Sequence, residues 1–294
     1  MKFCRQEGVM DIIHMSSVQI KRQLISSRFV MFAVLLIFVK GFVADPLIQA
    51  IKDVEAFGDH YRISFLQPII CLNNSFMLSL LMPLMFIVLA AGLPGEQSFD
   101  LFLHIRTTKR RFFLSQILTV AALAVSLTLL MLLASGTMVA ERMGTEMEYC
   151  GAVTRYNTYF PDRTGEYVLT LIPPNLYNQE SFIMAFLHSA ALLTLEFMLI
   201  GLVLLFFAET GLKFVGLVSQ VILIAVSAIL TNADIPAKWL LPTAHTTLWL
   251  HKDVILEKEI FPMLYSYIYF AVLIIIFLIL IFIYAPRYEL RANR

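Results

Sequence analysis

Charge is scarce in this chain. Of 294 residues only 15% are Asp, Glu, Lys or Arg, while 59% are apolar. Soluble domains run about 25% charged and about 45–50% apolar, so a water-soluble fold could not hide this much apolar surface. The formal net charge is +1, which gives no bulk attraction for nucleic acid. Cysteine is scarce too: Cys4, Cys71 and Cys150 form no CxxC pair. A Cys71–Cys150 disulfide is open to the sequence, but unrelated free thiols are the favoured reading. Catalytic signatures are missing. There is no HExxH, no GxSxG and no GxxxxGK[S/T], so neither a metalloprotease, a hydrolase elbow nor a nucleotide-binding loop is written here. No internal repeat, low-complexity tract or soluble domain interrupts the apolar pattern.

What is present is a set of long apolar runs. A membrane span needs about 20 mostly apolar residues. Six stretches qualify: 29–45, 69–92, 112–139, 182–207, 211–231 and 264–285. The predicted fold is therefore an all-α, polytopic transmembrane helical bundle forming a single domain over 1–294. The first run ends at Phe42-Val43-Ala44 without a small-x-small cleavage pattern, so it reads as a retained span rather than a signal peptide. Lys40 within it can snorkel to the interface.

The distribution of charge orients the bundle. With the N-terminus inside, the inner segments 1–28, 93–111, 208–213 and 286–294 hold 13 Lys/Arg against 6 acids, and the outer segments 46–68, 140–181 and 232–263 hold 8 against 13. Positive residues mark the cytoplasmic side. Six spans with both termini in the cytoplasm satisfy this, whereas an odd number would put Arg287, Arg291 and Arg294 outside.

The connecting segments carry further expectations. Residues 12–28 mix apolar and basic positions and suggest a helix on the inner leaflet. Leu47, Ile51, Val54 and Phe57 share a helical face after the first span. The outer segment 232–263, with Trp239-Leu240-Leu241-Pro242 and Leu248-Trp249-Leu250, is too apolar for a solvated loop and too short to span. A re-entrant or interfacial hairpin fits it, provided protein shields its backbone. His245, His251 and Asp253 within it could bind zinc, but surface residues are the expected reading, and no metal site is assigned.

Four intramembrane polar residues stand out. Glu196 sits mid-way along the fourth run, where a charge is costly and functional by default. His188 lies eight residues earlier, about 12 Å along the helix axis. Asn73 and Asn74 lie near the outer end of the second run. For all four, helix-to-helix hydrogen bonding is weighed against substrate contact, and no catalytic residue is assigned.

The inner segment 93–111 is the most informative. After Pro94-Gly95, a short helix is expected with Leu101, Ile105, Thr108 and Phe112 on one face, closed by Arg106, Lys109, Arg110 and Arg111. An apolar stripe with polar neighbours can enter a groove on a partner, although a basic cluster is also what topology alone demands. Here the chain resembles the permease subunits of type-2 ATP-binding-cassette exporters. Glu96, Leu101, Leu103, Arg106, Thr107, Lys109, Arg110, Leu114 and Gln116 echo that family's coupling segment. The resemblance implies a partner-docking role for Glu96, Asp100, Leu101, Ile105, Arg106 and Arg110. It implies a cytoplasmic ATP-binding-cassette ATPase as partner, with ATP held there and no cofactor on this chain. It also implies a homodimer or heterodimer with a second permease, and a multi-pass place in a bacterial plasma membrane. By this reading the chain is not itself an enzyme. The competing reading is a non-transporting integral membrane protein, an immunity factor or a scaffold for a membrane complex, which needs no ATPase.

Overall fold

The computed structural model describes residues 2–93, 108–233 and 235–284. The first helix, α1 (Lys2–Ile25), does not lie free. Met15, Ser16 and Gln19 are buried. The Ser16 hydroxyl donates to the carbonyl of Ser115 (2.8 Å), and that of Thr119 donates to Gln19 Oε1 (2.8 Å). One face of α1 is thus fixed by polar bonds to the base of a later helix.

The first apolar run extends further than expected. A continuous helical stretch, α2 (Ser27–Glu55), covers 29 residues and passes straight through Asp45-Pro46. A wide π turn at Lys40–Ala44 makes this possible. Proline brings no N–H and crowds the carbonyl one turn back, and a π turn is the usual way a helix absorbs such a fault. Beyond it, Leu47, Ile51 and Val54 are buried on one face. Phe57, placed on that face by periodicity, is 58% exposed, and its ring meets Tyr159 and Phe160 instead.

A two-residue strand follows, β1 (Ile63–Ser64). The second apolar run is split into α3 (Gln67–Asn74) and α4 (Phe76–Ala90), bent by 93° at Ser75. The bend is not at Pro83, which lies within α4. Three polar residues at the break each find a partner elsewhere. Asn73 Nδ2 donates to Ser189 O (2.9 Å), Asn74 Nδ2 donates to Leu171 O (2.8 Å), and the Ser75 hydroxyl bonds to that of Tyr167 (2.7 Å). In a membrane a helix can break only where such bonds replace the lost ones.

Helix α5 (Lys109–Met138) leads to the second strand, β2 (Met143–Gly144), which pairs in parallel with β1. Several short helical turns between Gly151 and Tyr177 complete a cap. It is tied to the end of α2 by Arg142–Glu55 and Arg163–Asp53 ion pairs and by Tyr156 donating to Asp53. Cys71 and Cys150 are buried free thiols, and burial pushes the Cys150 thiol up to about 11.

Helix α6 (Phe182–Glu209) is the central element. Its N-terminus is capped by Ser181, whose hydroxyl accepts from Met184 N (3.4 Å). Phe197 stacks on Phe86 of α4 at 4.9 Å. Gly201 lets α5 and α4 close in: a Cβ there would collide with Val120 and touch Phe86. Gly201→Val should therefore destabilise the bundle by about 1–3 kcal/mol, read as a lower calorimetric unfolding midpoint. Gly211 (φ 78°) turns the chain into α7 (Lys213–Asn232). A hairpin containing the short helix α8 (Pro242–Thr246) precedes the last helix, α9 (Met263–Tyr284). Among the described residues five helical stretches are long and apolar enough to cross a membrane, and six if α3 and α4 form one bent crossing. The chain is a multi-pass α-helical membrane protein.

Candidate functional site

Those residues singled out by sequence that are described do not gather into one cluster. Glu96, Asp100, Leu101, Ile105 and Arg106 lie outside the described residues. Arg110 stands exposed in the first turn of α5.

Glu196 is 2% exposed, midway along α6, and its Oε1 has no hydrogen-bond partner. Buried Leu192, Leu193, Phe197, Leu199 and Ile200 surround it in sequence. His188 is engaged elsewhere: its Nδ1 meets the Tyr267 hydroxyl at 2.7 Å, joining α6 to α9. Asn73 and Asn74 make the segment-to-segment bonds that hold the α3–α4 break.

The structure brings together a set that sequence reading assigned to the surface. His245 and His251 are 1% and 0% exposed. They lie in the hairpin, walled by Trp239, Phe261, Tyr269 and Phe270. Trp239 stacks on Phe261 at 4.1 Å, and His245 stacks on Tyr269 at 4.0 Å. A carbonyl only accepts, so the bond from His245 Nε2 to Trp239 O (2.9 Å) puts the proton on Nε2 and leaves Nδ1 to accept from Ser266 Oγ (2.9 Å). His251 faces a carbonyl on each side, Phe261 O at 2.8 Å from Nδ1 and His245 O at 3.4 Å from Nε2, and the shorter bond marks Nδ1 as the donor of the neutral ring. Its Nε2 lies 3.5 Å from the Ser266 hydroxyl. Two neutral imidazoles thus flank one serine. Burial drives His245 down to about 4 and lowers His251 as well.

The arrangement does not suit zinc, because both ring nitrogens of His245 are already bonded and His251 alone cannot hold the ion. Asp253 faces away and accepts from Ile255 N and Leu256 N, both at 2.7 Å. Among the described residues no three His, Cys, Asp or Glu side chains form a metal-binding group. The hydrophobic flanks Leu240, Leu241, Leu248 and Leu250 were the sequence signal for burial of these histidines.

The hairpin is also locked to the cap. Asn175 Nδ2 donates to Trp249 O (2.7 Å) and Lys252 O (2.8 Å), and Gln179 Nε2 donates to Asp253 O (2.6 Å). Lys252, itself buried, pairs with Glu180 (2.8 Å) and Glu259 (3.0 Å). Desolvation alone would lower the Lys252 pKa, but the two carboxylates outweigh it and hold the group above its ordinary value.

No family model, curated protein or solved structure matches the chain.

Proposed function

We propose that this chain is the permease subunit of an ATP-driven exporter in a bacterial plasma membrane. Segment 93–111 would couple it to a separate cytoplasmic ATP-binding-cassette ATPase, which binds and hydrolyses the ATP. Two permease halves, identical or not, would enclose the path. The observation that carries the reading is the buried hairpin ahead of the last span. Its helix α8 has all five residues buried and sits among α6, α7 and α9, as a re-entrant piece before the last span would; the permeases that the chain resembles carry such pieces before span six. The helix preceding the first span and the basic cluster opening α5 support the same order of elements.

The test is co-purification of the tagged chain in gentle detergent from its native host. A stoichiometric chain with a Walker loop should accompany it. Replacing Leu101, Ile105 and Arg106 together by Ala should reduce recovery of that chain at least tenfold while leaving permease yield unchanged. Recovery of this chain alone, where a known transporter keeps its ATPase, would overturn the proposal in favour of a scaffold or immunity role.

A further inference from the structure

Between the buried part of the hairpin and α9 the chain makes a small closed turn. Asp253 N donates to Lys258 O (2.9 Å), Ile260 N donates to His251 O (2.9 Å), and Lys252 and Glu259 form an antiparallel bridge. Asp253 Oδ1 accepts from Ile255 N and Leu256 N, and Glu257 takes a left-handed conformation (φ 48°). The turn is ordered, yet its side chains are not those of a solvated turn. Gly, Asn, Asp, Ser and Pro dominate such turns, whereas Val254, Ile255 and Leu256 stand in a row here at 66%, 88% and 60% exposure. Single exposed aliphatic side chains are ordinary on a protein surface, but contiguous ones mark a contact.

The neighbouring helices place this turn relative to a bilayer. Helix α9 has 22 residues, about 33 Å at 1.5 Å per residue, close to the hydrocarbon thickness of about 30 Å. Met263 therefore marks one edge of the hydrocarbon, and Ile260 precedes it by at most about 10 Å of chain. The outer end of α6 holds the other side of the turn: Glu180, just before Phe182, pairs with Lys252, and Gln179 donates to Asp253 O. The base of the turn is thus pinned beside the ends of two spans, at the level of the headgroups. Exposed apolar surface continues from it into the span. Ile260 is exposed, and Leu264, Ile268 and Val272, four residues apart along one face of α9, are exposed as well. The lipid-facing flank of the last span therefore runs up into the turn. Glu257 and Lys258, both exposed, limit the depth, because charges stay with headgroups and water.

We propose that Val254, Ile255 and Leu256 form a lipid anchor, set shallowly into the headgroup–acyl boundary of the leaflet on the hairpin side. The partner is the bilayer surface, to which the apolar flank of α9 already belongs. Because Lys252 and Asp253 are tied to Glu180 and Gln179, the anchored turn also sets the depth of the hairpin and of the start of α6. The inference does not depend on the exporter reading.

A nitroxide attached at Ile255→Cys tests it, in the full chain carrying Cys4→Ser and reconstituted in phosphatidylcholine–phosphatidylglycerol vesicles. Cys71 and Cys150 are buried, and the Cys4→Ser chain without the new cysteine sets the background labelling. Oxygen concentrates among acyl chains and a neutral nickel chelate in water, so paramagnetic relaxation by each reports which medium the label meets. The oxygen-to-nickel accessibility ratio at 255 should exceed that at Asp162→Cys, an exposed position of the cap, severalfold. Leu256→Cys, a second exposed site, should give the same ratio, so the result does not hang on one substitution. A ratio at 255 and 256 equal to that at 162 would put the turn in water. Labels reached by neither reagent would put it against another protein chain. Either result overturns the proposal.

Discussion

Acidifying the purified protein from pH 7 to pH 4 should cost about 3 kcal/mol of unfolding free energy through His245 alone, at about 1.4 kcal/mol per pKa unit. The sign follows from the aromatic wall. Burial depresses the folded-state value to about 4 from the ordinary 6.5, so between those limits the unfolded chain binds the proton and the folded chain does not. The stabilisation is complete above pH 6.5 and is lost as pH falls through 4. His251 is depressed by the same burial and pushes in the same direction. Lys252 beside it adds to the depression, while Glu259 opposes it. Other carboxylates also titrate in this range, so the comparison that isolates the histidine is between wild type and His245→Gln. The variant starts less stable, having lost a stacked ring and a bond to Ser266. Its stability should then fall less steeply between pH 6.5 and 4. Parallel slopes in urea titrations at pH 7, 5.5 and 4 would show that His245 does not titrate as its burial demands.

Removing Lys252 should be the most damaging single change in the hairpin. Its side chain is 6% exposed and that of Glu180 is 14% exposed, so the 2.8 Å pair is largely withdrawn from water. Glu259, at 47%, keeps much of its hydration and adds less. Lys252→Met leaves Glu180 as a buried, uncompensated carboxylate, and breaking a pair in that way costs about 3–5 kcal/mol. The cost belongs to the stranded charge rather than to the bond. Glu180→Gln in the Lys252→Met background should therefore recover much of the loss, although Glu180→Gln in the wild type is itself destabilising. A double-mutant cycle read by thermal unfolding measures this coupling. Additive effects would mean that the two charges do not interact.

The helical, membrane-spanning character was legible because it is local: long apolar runs signal helices that cross lipid, and each of the six runs corresponds to a helix or to the bent pair. Their interruptions were less legible. Asp45-Pro46 reads as a stop, yet the helix continues because a π turn upstream accommodates the proline. Pro83 lies within the continuous helix α4, while the 93° bend falls at Ser75, where nothing in the local sequence forbids a helix. The bend is fixed from outside, by Ser189, Leu171 and Tyr167, residues roughly a hundred positions away along the chain. The same reason hid the histidines. His245 and His251 have apolar flanks in Leu240, Leu241, Leu248 and Leu250, but Phe261, Ser266 and Tyr269, which help to enclose them, are brought in by the start of α9. Of the residues named from sequence, Glu196 was legible as a buried acid because charge inside an apolar run is unusual. The partners of Asn73 were not, since a carboxamide does not reveal which carbonyl it will meet.

The placement of the two tryptophans has an optical consequence. Trp239 and Trp249 are the only indoles among 294 residues, and both belong to the hairpin, one stacked on Phe261 and the other bonded through its carbonyl to Asn175. Ultraviolet emission from this protein therefore reports on that hairpin, however the remaining helices rearrange. A shift of the emission maximum to longer wavelength would mark the moment the hairpin leaves its seat among α6, α7 and α9, without any attached dye.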